Sequence, residues 1–480
     1  MRSEIADAVT AEVADAWREE LTDRLVDYIA IPALSPAFDP AWEASGHLEA
    51  AVQLVATWMA ARPVEGLTVD IQRLPGRTPL IVAEIEPHGP GGDATPPVVL
   101  YGHLDKQPEM EGWRDGLGPW IPVRDGDRLY GRGGADDGYA AFATMAAIEA
   151  LQRNGGSHGR CFVLIEASEE SGSPDLPAHV DALADRLGPV DLVVCLDSGC
   201  ADYETLWLTT SLRGLVDGTL TVTILDEGVH SGSASGVVPS TFRILRHLLD
   251  RIENAADGTV LVAAANVEIP SHRVAEAEAM LAHTGLGPGP YPLVDGARPV
   301  VEGADALLAR TWRPALSAIG LDGMPPVARA GNVLRPSTAL KVSLRIPPTA
   351  DERAVQRQLR EILEADPPYG ARVTFSGSEA APGWNAPPLA PWLRQAVDAA
   401  SQTAFGAPAQ LMGEGGTIPF MGMLGARFPE AQFLIIGVLG PGSNAHGPNE
   451  FLHLPYAEKL TSVVAGVLDA HALRRAGGPD

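Results

Sequence analysis

The sequence is poor in cysteine, poor in basic charge and without a long apolar run. Only Cys161, Cys195 and Cys200 occur, an odd number lacking the CxxC spacing of a thiolate metal site, which argues against a disulfide framework. Cys161 and Cys195 stand inside apolar runs and read as small core residues. No uninterrupted apolar stretch approaches membrane-spanning length, and the opening MRSEIADAVTAEVADAWREEL carries acids where a secretion signal would be apolar. A cytoplasmic protein with no membrane partner is the expectation. Lys and Arg number 35 against 61 Asp and Glu, a formal charge of −26, so the surface repels phosphate backbones and nucleic acid is not an expected partner. Charge excludes partners without fixing the sign of a local cleft, since metal ions can make one positive inside an acidic protein.

What is present exceeds one ordinary core: 480 residues, 45% hydrophobic and 20% charged, imply two domains or one interrupted by another. The spacing of apolar residues predicts amphipathic helices over 11–31 and 41–62. Short apolar runs at 67–74, 79–85, 97–103, 161–168 and 191–198 read as strands, and helical stretches at 140–151 and 176–188 alternate with the last three. That rhythm belongs to an α/β layer with a mostly parallel sheet. Near residue 210 it changes to half-exposed alternating strands, LVDGTLTVTIL and later ALKVSLRIP, which is α+β grammar. The α/β style returns after APGWNAPPLAP, with a helix near 390–405, a strand at 431–439 and a last helix from about 456. The expected organisation is a catalytic domain in two pieces, 1–210 and 383–480, with a smaller domain inserted at 211–382.

Acids and histidines cluster at the C-terminal ends of the predicted strands, where open α/β sheets hold their ligands. PVVLYGH ends in His103 and leads to Asp105, CFVLIEAS runs into Glu169 and Glu170, and DLVVCLDS ends in Asp197. Asp136 and Asp137 occupy a glycine-rich loop before a helix, and His446 lies in the turn-rich GPGSNAHGPNE. Taken singly, each has a plain structural use: a solvated acid pair at a strand end, or a helix N-cap. Together, His103, Asp136, Glu170, Asp197 and His446 form a mixed nitrogen and oxygen set suited to Zn²⁺. They are one carboxylate short of two separate three-ligand sites, which a bridging carboxylate would resolve.

At these residues the chain resembles the M20 metallopeptidases, and within them the carnosinase and cytosolic nonspecific dipeptidase branch. GHLD at 102–105, LYGRGGADDG at 129–138, EASEESGS at 166–173, LDSG at 196–199, VHSG at 229–232, LRIPP at 344–348, GEGGTIPF at 413–420 and GSNAHGPNE at 442–450 follow the family's order and approximate spacing. The resemblance implies a zinc-peptidase-like catalytic domain with an inserted α+β lid and dimerisation domain. It also implies two zinc ions per chain, with Mn²⁺ or Co²⁺ as substitutes, cleaving the amide of a dipeptide or related aminoacyl compound.

By the same resemblance Asp136 bridges the metals, His103 and Asp197 complete one site, and Glu170 and His446 the other. Asp105 would orient His103, and Glu169 would be the general base. In the inserted domain, His230 resembles the histidine that crosses to the partner's site in a homodimer and stabilises the oxyanion. Arg345 resembles the arginine that grips a substrate carboxylate, and Asn332 and Thr417, the latter in the catalytic domain, resemble further substrate contacts. His230 could instead cap a turn, and Arg345 could pair with an acid on the sheet. The Asp136-Asp137 peptide bond is expected to be cis. Carnosinase-like chains read DDKG at the bridging loop where this one reads Asp136-Asp137-Gly138-Tyr139, a departure that removes a lysine but no ligand. An N-acyl or carbamoyl amino acid amidohydrolase with the same metals is the alternative enzyme, and a metal-free binding relative the remote one.

Overall fold

The structure, a computed structural model, describes residues 3–476 apart from 286, 288–290 and 292. It divides into two compact units, one of residues 1–209, 386–412 and 423–480, the other of 210–385 and 413–422.

The first unit is built on a six-stranded sheet in the order Leu67–Gln72, Leu80–Ile85, Cys161–Glu166, Val98–His103, Leu192–Cys195, Gln432–Ile435. The last four run parallel, and the first two form an antiparallel margin. Parallel strands covered on both faces need apolar residues throughout, and VVLY, CFVLI and LVVC are buried at every position. Burying each such aliphatic side chain contributes about 2 kcal/mol. An exposed ion pair such as Arg73 with Glu49 contributes at most about 1 kcal/mol, so apolar burial rather than surface charge holds the sheet. Helix Tyr139–Arg153 is buried from Tyr139 to Leu151, its alanines allowing close approach, and helix Leu454–Ala476 packs on it and on Pro391–Phe405.

Local differences from the sequence reading have local causes. The first helix begins at Ser3 and passes through one wider turn, Trp17–Leu21, before continuing to Ile29. The stretch 176–188 breaks at Leu183 into Leu176–Ala182 and Ala184–Leu187. Among the described residues no helix is long and apolar enough to cross a membrane.

The second unit is a four-stranded antiparallel sheet in the order Ala315–Asp322, Ser337–Ile346, Gly214–Thr223, Arg372–Ala381. Its alternating strands bury one face: Leu340, Val342, Leu344 and Ile346 join Val216, Leu220 and the helix residues Leu245, Leu248, Val355 and Leu359 in one core. Helix Glu352–Glu364 starts where the Asp351 side chain accepts the backbone N–H groups of Arg353 and Ala354, both at 2.9 Å. Residues 413–422, read from sequence as part of the last catalytic piece, fall in this unit, tied to it by the Thr417 hydroxyl, which donates to the Arg213 carbonyl at 2.6 Å.

Candidate metal centre

Sheet register brings the acids and histidines of the first unit to one edge. His103 lies beside Glu166, and Tyr101 between Leu164 and Cys195, so the chain leaving these strands carries His103, Glu169, Glu170 and Asp197 out on the same side. The loop bearing Asp136 closes over that edge. Gly102 makes room for it, since a Cβ there would lie 2.5 Å from the Ala140 Cβ and 2.7 Å from an Asp137 carboxylate oxygen.

Asp136 stands between the two histidines. Its Oδ1 is 3.3 Å from His103 Nε2 and its Oδ2 3.0 Å from His446 Nε2. Glu170 Oε2 lies 3.4 Å from His446 Nε2, and Asp197 Oδ2 3.9 Å from His103 Nε2. Donor atoms of His103, Asp136 and Glu170 lie within 4.8 Å of one another, as do those of His103, Glu169 and Asp197. All five residues read as ligands, and Glu169 with them, therefore gather in one place. The Asp136-Asp137 peptide bond is cis.

Neighbouring groups hold these side chains in position. The Asp105 carboxylate accepts the backbone N–H groups of Glu169 and Glu170, one on each oxygen at 3.0 Å. The second nitrogen of His103 meets the backbone carbonyl of Asp105 at 3.1 Å, closer than that residue's carboxylate at 3.5 Å. Asp137 accepts the His103 backbone N–H at 3.3 Å, and Gln107 donates to Glu170 at 2.6 Å. Buried Glu450 pairs with Arg132 and accepts the Gly133 N–H at 2.8 Å, joining the His446 loop to the Asp136 loop. His446 itself sits at φ +64°, and its side chain is 54% exposed.

Gln107, Arg132, Glu450 and the wholly buried Lys106 escaped sequence reading. The signal was adjacency alone: Lys106 and Gln107 follow GHLD, Arg132 is in GRGGADDG and Glu450 ends GPNE.

The electrostatics of the cluster call for a cation. Burial, then the neighbouring Asp136 carboxylate, pushes Glu170 up to about 8. Burial raises Asp197 to about 6, with Asp136 adding to it, and drives Glu169 well above the carboxylate range, helped by Asp197. Asp136 alone is held low, because His103 and His446 outweigh its burial. A crowd of buried carboxyls unable to ionise together, with two imidazoles among them, is a donor set that fits divalent zinc.

In the second unit, His230 is exposed on the two-residue strand Val229–His230, paired with Val333–Leu334. Its Nδ1 accepts the Gly232 N–H at 3.1 Å, and the neighbouring Asn332 carbonyl accepts the Ser231 N–H at 2.9 Å. Arg345 points from the sheet face opposite the core and donates to the Thr417 hydroxyl at 2.8 Å. The structure thus groups His230 with Asn332, and Arg345 with Thr417.

The sequence pattern of peptidase family M20/M25/M40 matches residues 99–470. The chain belongs to this family. It is 30% identical over 417 residues to the cysteinylglycine-S-conjugate dipeptidase of Corynebacterium striatum, covering 84% of this chain and 88% of that one. It is 28% identical over 366 residues to the Beta-Ala-His dipeptidase of Rattus norvegicus, covering 73% and 71%. Among solved structures, the di-peptidase Dug1p from Saccharomyces cerevisiae superposes with a TM-score of 0.78 at 20% identity, over 98% of each chain. Human carnosine dipeptidase 1 superposes with a TM-score of 0.75 at 22% identity, over 98% of this chain and 100% of that one. The fold and branch implied by the sequence motifs are those of this M20 peptidase, a metal-dependent, dipeptidase-like enzyme.

Proposed function

We propose that this M20 peptidase hydrolyses the peptide bond of a dipeptide or related aminoacyl compound with two zinc ions, one held by His103, Asp136 and Asp197, the other by Asp136, Glu170 and His446. The observation that carries this reading is Asp136, which turns one carboxylate oxygen toward each histidine. Zinc in this site would lower the pKa of a water molecule and polarise the scissile carbonyl. Glu169, beside Asp197 and His103, takes a proton from the attacking water and returns it to the departing amine. Asp105 holds Glu169 in place by accepting its backbone N–H.

Arg345 binds the substrate carboxylate through its planar guanidinium, with Thr417 steadying one nitrogen. In a homodimer, His230 of the partner subunit donates to the oxyanion of the tetrahedral intermediate. Its use of Nδ1 as an acceptor leaves the Nε2 proton for that task. Asn332 lies beside His230 and serves the same substrate.

The test is competition among free-amine dipeptides, N-acyl amino acids and N-carbamoyl amino acids with the zinc-loaded enzyme. Preferred cleavage of dipeptides supports the reading. Cleavage of acyl or carbamoyl compounds without dipeptide cleavage would replace it with an amidohydrolase using the same metals. An enzyme indifferent to chelators would remove the metals from the account.

A further inference from the structure

Lysine occurs only three times in this chain, at 106, 341 and 459, although Lys and Arg together number 35. One of the three, Lys106, is wholly buried, immediately after the strand end that carries His103 and Asp105. Its Nζ donates to the carbonyl oxygens of Tyr28 at 2.9 Å, Ile29 at 3.3 Å and Ile31 at 2.8 Å, at and just past the end of helix Thr22–Ile29. An ammonium has three N–H donors and no acceptor, so three carbonyls match its donors in number, while burial pushes the amine well below the ordinary lysine range. The Tyr28 ring lies 4.0 Å from Nζ and the Trp120 ring 5.3 Å, so both rings pack against the end of the side chain.

The same side chain and the same tyrosine press against the loop that carries Asp136. A Cβ at Gly133, φ +83°, would lie 2.7–2.8 Å from the Lys106 Cε, Cδ and Cγ. A Cβ at Gly138 would lie 2.1 Å from Tyr28 Cε1, and the Tyr28 hydroxyl donates to the Leu104 carbonyl at 2.7 Å. Position 138 is where carnosinase-like chains carry the lysine of DDKG. Here the space beside it is taken by Tyr28 and by the Gly133 carbonyl, 2.7 Å from where a Cβ would lie.

We infer that Lys106, together with Tyr28, is a positioning residue of the metal-ligand loop. It ties the 104–106 turn and the 133–138 loop to the end of helix Thr22–Ile29, and so sets the separation of His103 from Asp136. The inference rests on these residues being metal ligands, as proposed above, but the brace itself exists in the metal-free protein.

The experiment compares Lys106→Met with wild type in two measurements. In the metal-free proteins, hydrogen exchange of the amides at 133–139 is expected to accelerate while those of strand Cys161–Glu166 keep their protection. With zinc, affinity measured by chelator competition is expected to fall about 10–100-fold, the range for lost support of a metal ligand, with KM nearly unchanged and kcat reduced. If Lys106→Met does not fold, Lys106→Gln carries the same comparison.

Unchanged exchange at 133–139, or exchange that rises equally across the sheet, would overturn the inference. A wild-type protein that takes up no zinc would overturn the proposed function instead, and the exchange comparison would still decide the brace.

Discussion

Asp136 Oδ2 lies 3.0 Å from His446 Nε2, a contact between a loop before a helix and a loop 310 residues further along the chain, while Asp136 Oδ1 faces His103. One carboxylate thus stands between two imidazoles, each with a further acid beside it, and the chemistry proposed for this M20 peptidase depends on that arrangement.

Glu169 is proposed to move protons rather than to bind metal, so Glu169→Gln should retain zinc. Its kcat is expected to fall about 10²–10⁴-fold with KM changed little. Steady-state kinetics beside elemental analysis checks this. A variant that loses zinc in proportion to activity would make Glu169 a ligand instead.

Asp105 accepts two backbone N–H groups through its two oxygens, and an asparagine can accept on only one of them. Asp105→Asn should therefore misplace Glu169 and Glu170 and lower zinc affinity about 10–100-fold. Chelator competition measures the shift, and wild-type affinity in the variant would contradict it.

The sheet and the placement of the ligands at its edge were legible in the sequence, because buried parallel strands must be apolar throughout and each run stops where His103, Glu169 or Asp197 begins. The helix ends were less so: nothing in Trp17–Leu21 announces a wider turn, which packing of Trp17 and Leu21 into the core accommodates. Supports such as Lys106 and Glu450 were hidden for a different reason. A single lysine or glutamate carries no periodicity, and its role appears only when the partners come together, Tyr28 for Lys106 and Arg132 for Glu450.

Zinc uptake should release protons. In the metal-free protein, burial and then Asp136 raise Glu170 to about 8, and Asp136 with Glu170 outweighs burial to raise His446 to about 9. Near neutral pH both groups hold protons that must leave before their donor atoms bind a cation, so affinity should weaken as pH falls. Calorimetry in buffers of different ionisation enthalpy counts the protons. No release near neutral pH would contradict the assignment of Glu170 and His446 as ligands.

The most direct measurement is anomalous diffraction at the zinc edge from crystals of the zinc-loaded protein. The account predicts two peaks that share Asp136, one also touching His103 and Asp197, the other Glu170 and His446. A single peak, or two that do not share Asp136, would contradict it.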